Sequence, residues 1–474
     1  MFPKKCKTYK QIMTSRNSFS GQLGFVLTAA GCAVGLGNIW RFPYLAAKDG
    51  GGLFLLVYLV LAVTFGFTLL TTEIAIGRRT QKCALFAYKA LHPSFRHLGT
   101  VACLIPAILL SYYCVVGGWV MKYAVAFLTG GGQDTVADGY FGSFISSQYE
   151  PLVYMIVFMC ITALIVSRGV NSGIEKFSKT IMPLLFLMII GIAVFSLTLS
   201  HTDADGNTRN GLDGLKVFAV PDFSGLTLEK LWVTFLDAMG QLFYSLSLAA
   251  GIMVSYGSYV RKDENLVQGI NRIEFFDTLV AFLAGFMVIP AVYVFSGYEG
   301  LESSGPGLMF VNLPKVFDSL GMAGGVVGII FFVMVVFAAL TSSVGMLEAV
   351  VSSYMDKYQI SRRKCTWLSF AAIPAVAVVV CLGYNVFYFE VNMPNGVKAQ
   401  VLDLLDYVSN NIMMPVLEIG TCILIGWVAT PDSIVDELTA NGERFMRRKL
   451  YAVMIRYVVP LLLCVLLVKS TGVV

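Results

Sequence analysis

Long apolar runs alternate with short polar stretches along this chain of 474 residues. A membrane-spanning helix needs about 20 mostly apolar residues, and eleven runs reach or approach that length. The runs, called segments 1 to 11, lie near 21–43, 53–77, 98–128, 151–167, 173–199, 232–256, 275–297, 322–355, 366–383, 401–429 and 450–468. This pattern predicts an all-α integral membrane protein with eleven transmembrane helices.

Lys and Arg are distributed unevenly between the loops. They concentrate in the N-terminal tail and then in every second loop, near 78–96, 168–179, 261–272, 357–364 and 444–449. Because positively charged loops stay in the cytoplasm, we expect a protein of the cell (plasma or inner) membrane whose N-terminus lies on the cytoplasmic side. With an odd number of spans, the C-terminus is expected outside.

The composition supports a membrane protein and argues against other classes. Hydrophobic residues make up 57% and charged residues 13% of the chain, whereas soluble domains hold about 45–50% and about 25%. The basic residues form no domain interleaved with aromatics, so no nucleic-acid partner is expected. The ten Cys and three His lack the CxxC and HExxH spacings of metal centres, and no catalytic set is visible, so an enzyme is not expected.

Segment 1 contains the most unusual stretch, AGCAVGLGNIWRFP at 30–43. Gly31, Gly35 and Gly37 each cost roughly 1 kcal/mol relative to Ala in a helix interior. Asn38 and Arg41 are costly at membrane depth unless they meet a partner or a cavity. A broken helix with a ligand site halfway across the membrane is therefore expected. The glycines alone would also suit close helix packing, but the two polar residues favour binding.

Two later segments carry related signals. Segment 6 contains GQLFYSLSLAAG at 240–251, a second interruption five segments after the first, which fits an inverted repeat of five helices plus five. In segment 8, Ala338, Thr341 and Ser342 share one helix face, and their oxygens suit a hard cation. Alternatively, the small residues only pack, and the hydroxyls bond back to their own helix.

Ionisable and helix-breaking residues mark three further places. Asp277 lies inside segment 7, where a carboxylate indicates function unless it caps a helix at the interface. Glu73 and Glu418, in segments 2 and 10, predict only a structural polar network. Gly173 and Pro183 bracket a part of segment 5 that could open locally, although a plain proline kink is equally compatible.

Together these residues resemble the neurotransmitter:sodium symporter family, which has the leucine-transporter fold. The resemblance runs from Arg16 to about Arg456, and its most specific parts are AGCAVGLGNIWRFP, GQLFYSLSLAAG, the Thr-Ser-Ser of segment 8 and the Gly-Arg-Arg after segment 2. It implies unwound helices 1 and 6 in a ten-helix core at 20–429, with repeats at about 20–199 and 232–429. A cytoplasmic tail at 1–19 would precede the core, and a cytoplasmic loop with the eleventh helix at 430–474 would follow it.

The resemblance also implies two sodium sites. One would use Gly31, Val34, Ala338, Thr341 and Ser342. The other would use Ala33, Asn38, Ser245, Asp277 and the substrate carboxylate. Family members commonly have Thr where this chain has Ser245, and chloride-dependent members have a neutral group near Asp277. A fixed carboxylate there implies that chloride is not required.

The resemblance gives a substrate site as well. Its expected members are Cys32, Ala33, Leu36, Gly37, Leu109, Tyr113, Tyr244, Ser245, Ser247, Ala249, Ala250, Ser342 and Met346. The small Ala249 and Ala250 leave room for a large apolar or aromatic side chain. Members that carry biogenic amines have Asp where this chain has Cys32, so a zwitterionic amino acid is favoured over an amine.

Finally, the resemblance implies two gates, each built on an ion pair. The outer gate would pair Arg41 with Asp406, above Tyr113 and Tyr244. The inner gate would pair Arg16 with Asp356, beside Phe19 and Tyr259. The expected function is sodium-coupled amino-acid symport by alternating access. The alternatives are a non-transporting amino-acid sensor on the same fold and a sodium-coupled carrier of another small amine or osmolyte.

Overall fold

A computed structural model describes residues 18–202, 206–223, 225–301, 305–394 and 398–472. Within these ranges the chain is helical except for loops and two short antiparallel hairpins. The hairpins consist of β1 (Ser200–Thr202) with β2 (Thr208–Asn210), and β3 (Val391–Asn392) with β4 (Lys398–Ala399). The expected all-α class is therefore confirmed. Arg16, expected in the inner gate, lies outside the described residues.

The long apolar runs form helices that are often divided by a wider turn. The α-helices are α1 Gln22–Ala33, α2 Phe42–Lys48, α3 Gly52–Leu61, α4 Phe67–Thr80, α5 Ala84–Leu91, α6 Arg96–Leu128, α7 Tyr140–Ser146, α8 Glu150–Ser167, α9 Lys176–Leu197, α10 Gly211–Ala219, α11 Leu228–Ser245, α12 Ile252–Gly257, α13 Leu266–Leu301, α14 Leu313–Ser319, α15 Met322–Tyr358, α16 Arg362–Leu382, α17 Val401–Asp406, α18 Met414–Ile423, α19 Pro431–Leu438, α20 Arg448–Val453 and α21 Val459–Ser470. The π-helical turns are Gly37–Arg41, Ala62–Gly66, Val170–Glu175, Leu308–Asn312, Tyr407–Met413, Leu424–Val428 and Met454–Val458, and the 3₁₀ turns are Pro93–Phe95 and Gln133–Val136.

Nine helices in the described ranges are long and apolar enough to cross a membrane. The pair Gln22–Ala33 and Gly37–Lys48, bent by 55°, makes a tenth crossing if it is one span. Segment 6 would be the eleventh, but it is divided into α11 and the short α12, and α11 carries Glu229, Lys230 and Asp237. The count of eleven therefore depends on this broken segment and stays a prediction.

Both expected interruptions are present. In segment 1, α1 ends at Ala33, a π-helical turn follows at Gly37–Arg41, and α-helix resumes only at Phe42. In segment 6, α11 ends at Ser245 and α12 begins at Ile252. Between α11 and α12, Ser247 and Ala249 have φ of 52° and 59°, a conformation that is unfavourable for residues with a Cβ. Such strain persists only where the surrounding structure holds it, and it is common at functional sites.

The long helices of segments 3 and 8, α6 and α15, pack along each other and form one wall beside the broken segments. α1 packs against α15, α9 and α13, so segment 1 is enclosed by segments 5, 7 and 8. The middle of α15 is buried throughout Ala338–Ser353. This arrangement places the bare backbone of both interruptions inside the protein, where polar groups can find partners.

Candidate substrate and ion site

A cavity lies where the interruptions of segments 1 and 6 meet segments 3, 8 and 10. The lining residues are Cys32, Ala33, Gly35, Leu36, Gly37, Asn38, Leu109, Tyr112, Tyr113, Tyr244, Ser245, Ser247, Ala250, Ile252, Ser342, Met346, Asn410 and Met414. Residues far apart in the sequence thus form one mostly apolar pocket with a few polar groups.

Every residue expected to contact substrate lines this cavity except Ala249. Ala249 does not line the cavity in this structure because the strained backbone turns its N–H toward segment 2, and its role in substrate binding stays a prediction. That N–H donates to Glu73 Oε1 at 2.5 Å. Sequence reasoning missed Tyr112, Ile252, Asn410 and Met414, because the resemblance points to other positions.

Three buried side chains from segments 1, 6 and 7 meet beside the cavity. Asn38 Nδ2 donates to Asp277 Oδ1 at 3.0 Å, and the Ser245 hydroxyl donates to the same oxygen at 2.7 Å. Ser245 also lies 3.1 Å from Asn38 Oδ1. Asp277 Oδ2 has no hydrogen-bond partner among the described residues. Carboxylate, amide and hydroxyl oxygens held together in this way suit a hard cation.

Tyr58 of segment 2 also approaches this cluster and was missed by sequence reasoning. Its buried hydroxyl faces Ser245 and Asp277 without meeting hydrogen-bond geometry. The contacts of Asp277 among the described residues are therefore with Asn38, Ser245 and Tyr58, and none of these is cationic. A buried carboxylate without a counter-charge is unfavourable, which makes this cluster a candidate site for a bound cation.

The second expected ion site lies between segments 1 and 8. Thr341 Oγ1 donates to the Ala338 carbonyl at 2.9 Å, so this hydroxyl bonds back to its own helix, as the alternative interpretation expected. Its oxygen keeps lone pairs that can still accept a cation. A Cβ built on Gly31 would lie 3.6 Å from Thr341 Cβ, which places the predicted partners of the two segments side by side. Val34 caps α1 and is fully buried.

Two glycines let the backbone of segment 1 approach its neighbours closely. A Cβ on Gly35 would lie 2.8 Å from Ser342 Oγ, and a Cβ on Gly37 would lie 2.5 Å from the Tyr244 ring. The Ser342 hydroxyl donates to the Cys32 carbonyl at 2.9 Å. These glycines are therefore required by close contacts around the cavity as well as by the break itself.

The expected outer ion pair is not a direct salt bridge among the described residues. The Asp406 carboxylate accepts hydrogen bonds from Tyr112 at 2.9 Å and Asn410 at 2.6 Å, so its polar contacts come from neutral groups. The Arg41 guanidinium lies over the Tyr244 ring, 5.6 Å from its centroid. The Tyr113 hydroxyl has no described partner. Tyr112, which precedes the predicted Tyr113, is therefore the tyrosine that contacts Asp406.

On the opposite side, the aromatic members of the expected inner gate are in contact. The Phe19 N–H donates to the Tyr259 carbonyl at 3.0 Å, and the two rings pack edge to face with centroids 6.1 Å apart. Asp356 accepts a hydrogen bond from the Cys83 N–H at 3.3 Å. Because Arg16 is outside the described residues, its pairing with Asp356 stays a prediction.

A buried ion pair beside this aromatic contact was missed. The Arg362 guanidinium contacts both oxygens of Glu348, with a bond of 2.9 Å to Oε1, and the Tyr259 hydroxyl donates to Glu348 Oε1 at 2.6 Å. The sequence signal for this ion pair was Glu348, a glutamate within the apolar run of segment 8. The sequence indicates Arg362 only as part of a positively charged loop.

Glu73 and Glu418 come together behind the interruption of segment 6. Both side chains are fully buried and lie close together, although neither oxygen of Glu418 has a hydrogen-bond partner among the described residues. Through its bond to Ala249, Glu73 connects segment 2 to the strained backbone of segment 6. This matches the structural polar network that the sequence predicted, and it separates these carboxylates from the cavity lining.

Comparison with known proteins agrees with this architecture. The model of the sodium:neurotransmitter symporter family matches residues 16–131 and 143–474. The chain belongs to this family. It is therefore a membrane transporter and not an enzyme, as the sequence predicted.

Individual relatives extend the comparison. The uncharacterized sodium-dependent transporter YhdH of Bacillus subtilis is 34% identical over 96% of this chain and 98% of its own length. The crystal structure of MhsT in complex with L-phenylalanine matches with a TM-score of 0.83 and 32% identity, covering 96% of this chain and all of that one. The sodium- and chloride-dependent taurine transporter of Bos taurus is 24% identical over 89% of this chain and 73% of its own length.

Proposed function

We propose that this protein is a sodium-coupled symporter of large apolar or aromatic L-amino acids. The observation that carries the proposal is one cavity with two unlike sides, a mostly apolar wall and an oxygen-rich cluster at the breaks of segments 1 and 6. An amino acid would place its carboxylate near the bare backbone at Leu36 and Gly37, where a half-helix begins with a positive end. Its side chain would extend toward the apolar wall.

The substrate class follows from the chemistry of the residues that line the cavity. Leu109, Ile252, Met346 and Met414 offer an apolar wall, and Ala250 leaves space beside them. Cys32 is uncharged at the position where an amine carrier would need an acidic group. The match to a transporter solved with L-phenylalanine supports the same class. The taurine-transporter relative supports a second candidate, a carrier of a small osmolyte.

Two sodium ions would be co-transported. The first would bind Asp277, Asn38, Ser245 and the Ala33 carbonyl, together with the substrate carboxylate. The second would bind the carbonyl and hydroxyl oxygens of segments 1 and 8 around Thr341. Because Asp277 already supplies a fixed negative charge beside the first ion, chloride would not be needed to balance it.

Transport would proceed by alternating access between the two gates, with the N-terminus in the cytoplasm and the C-terminus outside. The two repeats, at about 20–199 and 232–429, would move relative to each other around the central site. Sodium would favour the occluded arrangement because it compensates Asp277 where water is excluded. Since this coupling is a difference in free energy between states, substrate must tighten sodium binding as much as sodium tightens substrate binding.

A binding panel followed by counterflow tests the proposal. Purified protein should bind radiolabelled L-phenylalanine in sodium, and excess L-leucine, L-tyrosine or L-tryptophan should displace it, whereas taurine should not. Proteoliposomes preloaded with unlabelled substrate should then accumulate the label transiently, which a non-transporting sensor cannot do. Displacement by taurine alone would favour the osmolyte carrier, and binding without counterflow would favour a sensor.

A further inference from the structure

The loop that follows α16 exposes five bulky apolar side chains between positions 386 and 391. Each of them is between 41% and 57% exposed, although the loop lies between the segments assigned to the membrane. These residues, called the apolar patch, are Val386, Phe387, Tyr388, Phe389 and Val391. A contiguous apolar surface of this kind is unusual in water and marks a contact with another protein or with a membrane.

The start of this loop is fixed to the body of the protein. The Asn385 side chain donates to the carbonyls of Ser146 and Ser147 at 3.3 and 3.1 Å. The Tyr384 ring packs edge to face against Trp119, with centroids 5.6 Å apart. Both contacts immediately precede the apolar patch in the chain. The patch therefore projects from a well-held base, and its exposure is a feature of the fold.

The length of α16 places the apolar patch at the edge of the bilayer. Basic residues occupy 362–364 at the start of the helix, and 365–382 carries no charge. This uncharged part is about 27 Å long at a rise of about 1.5 Å per residue, close to the hydrocarbon thickness of about 30 Å. Val376 and Val379 are exposed within it, as lipid-facing side chains would be. The loop therefore leaves α16 near the boundary between hydrocarbon and headgroups.

The composition of the apolar patch suits that boundary. Aromatic side chains are enriched at headgroup level, where an apolar ring and a polar tip are both satisfied. The Tyr388 hydroxyl donates to Glu390 Oε1 at 2.5 Å, and Glu390 Oε2 lies 3.3 Å from Lys398 Nζ. A specific protein interface uses about 20–30 residues on each side, which is far more than this patch. Because the patch continues the lipid-facing side of α16, its position favours the bilayer as the partner.

The end of the same loop packs against segment 10. Met393 and Ala399, from the hairpin of β3 and β4, form a small buried cluster with Tyr407. Leu404 of α17 is partly buried against this cluster. α17 ends at Asp406, the acidic member of the expected outer gate. The loop thus connects the apolar patch to the outer end of segment 10.

We propose that the apolar patch is a membrane anchor. Its side chains lie among the lipid headgroups and hold the outer end of segment 10 at the membrane surface. With the topology proposed above, the headgroups are those of the outer leaflet. The anchor is a contact with lipid and does not depend on which substrate the protein carries.

Fluorine NMR of the full-length protein in nanodiscs tests the position of the apolar patch. Phe387→4-trifluoromethylphenylalanine and, separately, Phe389→4-trifluoromethylphenylalanine each add one signal close to the native ring. Phosphatidylcholine with a nitroxide on its headgroup, present in both leaflets, should broaden both signals strongly. A gadolinium chelate in the water should broaden them little.

The same amino acid at two other positions calibrates the probes. At Asp138, whose side chain is 95% exposed in a loop, the gadolinium chelate should have the stronger effect. At Val376, in the middle of α16, a nitroxide on the acyl chain should have the stronger effect. Strong broadening by gadolinium at 387 and 389 would place the loop in water and overturn the anchor. Protection from every probe would mean that protein, such as a second copy, covers the patch, which would overturn it as well.

Amide hydrogen exchange tests the connection to segment 10. The double variant Phe387→Ser with Phe389→Ser should exchange faster in α17 than the wild type in the same nanodiscs. Phe387→Tyr with Phe389→Tyr is the matched control, because it keeps both aromatic rings and should keep the wild-type rate. Unchanged exchange in the Ser variant would contradict the anchoring of segment 10. Neither measurement uses sodium or substrate, so failure of the proposed transport function would leave both results standing.

Discussion

Replacing Asn38 by Ala removes the centre of the cluster that is proposed to bind the first sodium ion. In the structure, Asn38 donates to the Asp277 carboxylate at 3.0 Å and lies 3.1 Å from the Ser245 hydroxyl. The substitution leaves Asp277 with one short hydrogen bond, from Ser245 at 2.7 Å. It also deletes an amide oxygen that could bind the ion. Both losses raise the free energy of the ion-bound protein more than that of the ion-free protein.

The size of the effect follows from those contacts. A hydrogen bond to a charged group contributes about 1.5–3 kcal/mol and a neutral one about 1 kcal/mol. Their sum, about 3 kcal/mol, corresponds to a loss of about a hundredfold in affinity, since about 1.4 kcal/mol is a factor of ten. Asn38→Ala should therefore weaken sodium-dependent L-phenylalanine binding by about two orders of magnitude in sodium concentration.

Binding of labelled L-phenylalanine to purified protein, titrated with sodium at constant ionic strength, measures this effect. Asn312→Ala serves as the control because Asn312 donates one hydrogen bond, to the Gly300 carbonyl at 3.2 Å, and does not line the cavity. The control should keep the wild-type sodium dependence. If Asn38→Ala keeps it too, the assignment of the first sodium site to this cluster is wrong.

Three further substitutions test separate parts of the account. Gly35→Ala places a methyl group 2.8 Å from Ser342 Oγ and should weaken sodium-dependent binding severalfold, with much of the loss removed in Ser342→Ala. Asp277→Asn should make uptake respond to chloride, which flux assays with gluconate in place of chloride would detect. Asp49, beyond the end of α2, has its pKa raised to about 6 by burial and then by the neighbouring Asp237 carboxylate. Because this folded-state pKa is raised, the contribution of Asp49 to stability is full below about pH 4 and is lost as the pH rises from about 4 through about 6, so Asp49→Asn should flatten the melting temperature between about pH 4 and about pH 6.

The sequence predicted most of the fold and of the cavity because the relevant signals are local. Apolar runs locate membrane helices, and polar residues with clustered glycines located both breaks. Gly35 and Gly37 predicted a backbone without side chains at the break of segment 1. In the structure, the side chains of Ser342 and Tyr244 approach the positions that Cβ atoms on Gly35 and Gly37 would take. Every substrate contact carried over by resemblance lines the cavity apart from Ala249.

The remaining features depend on contacts between segments that no local pattern contains. The positive φ of Ala249 directs its N–H to Glu73, and an alanine in a short apolar stretch gives no sign of that conformation. Which of two adjacent tyrosines, Tyr112 or Tyr113, contacts Asp406 depends on the rotation of segment 3 about its axis. A Cβ on Gly24 would lie 2.0 Å from Glu175 Oε1, and this close contact likewise requires two segments to be placed side by side, which only the structure supplies.

Uptake of labelled L-phenylalanine into proteoliposomes with an inward sodium gradient tests the central claim most directly. The account predicts accumulation above the external concentration that collapses when sodium is replaced by potassium and persists when chloride is replaced by gluconate. Equilibration without accumulation, at the same rate with and without the sodium gradient, would contradict it.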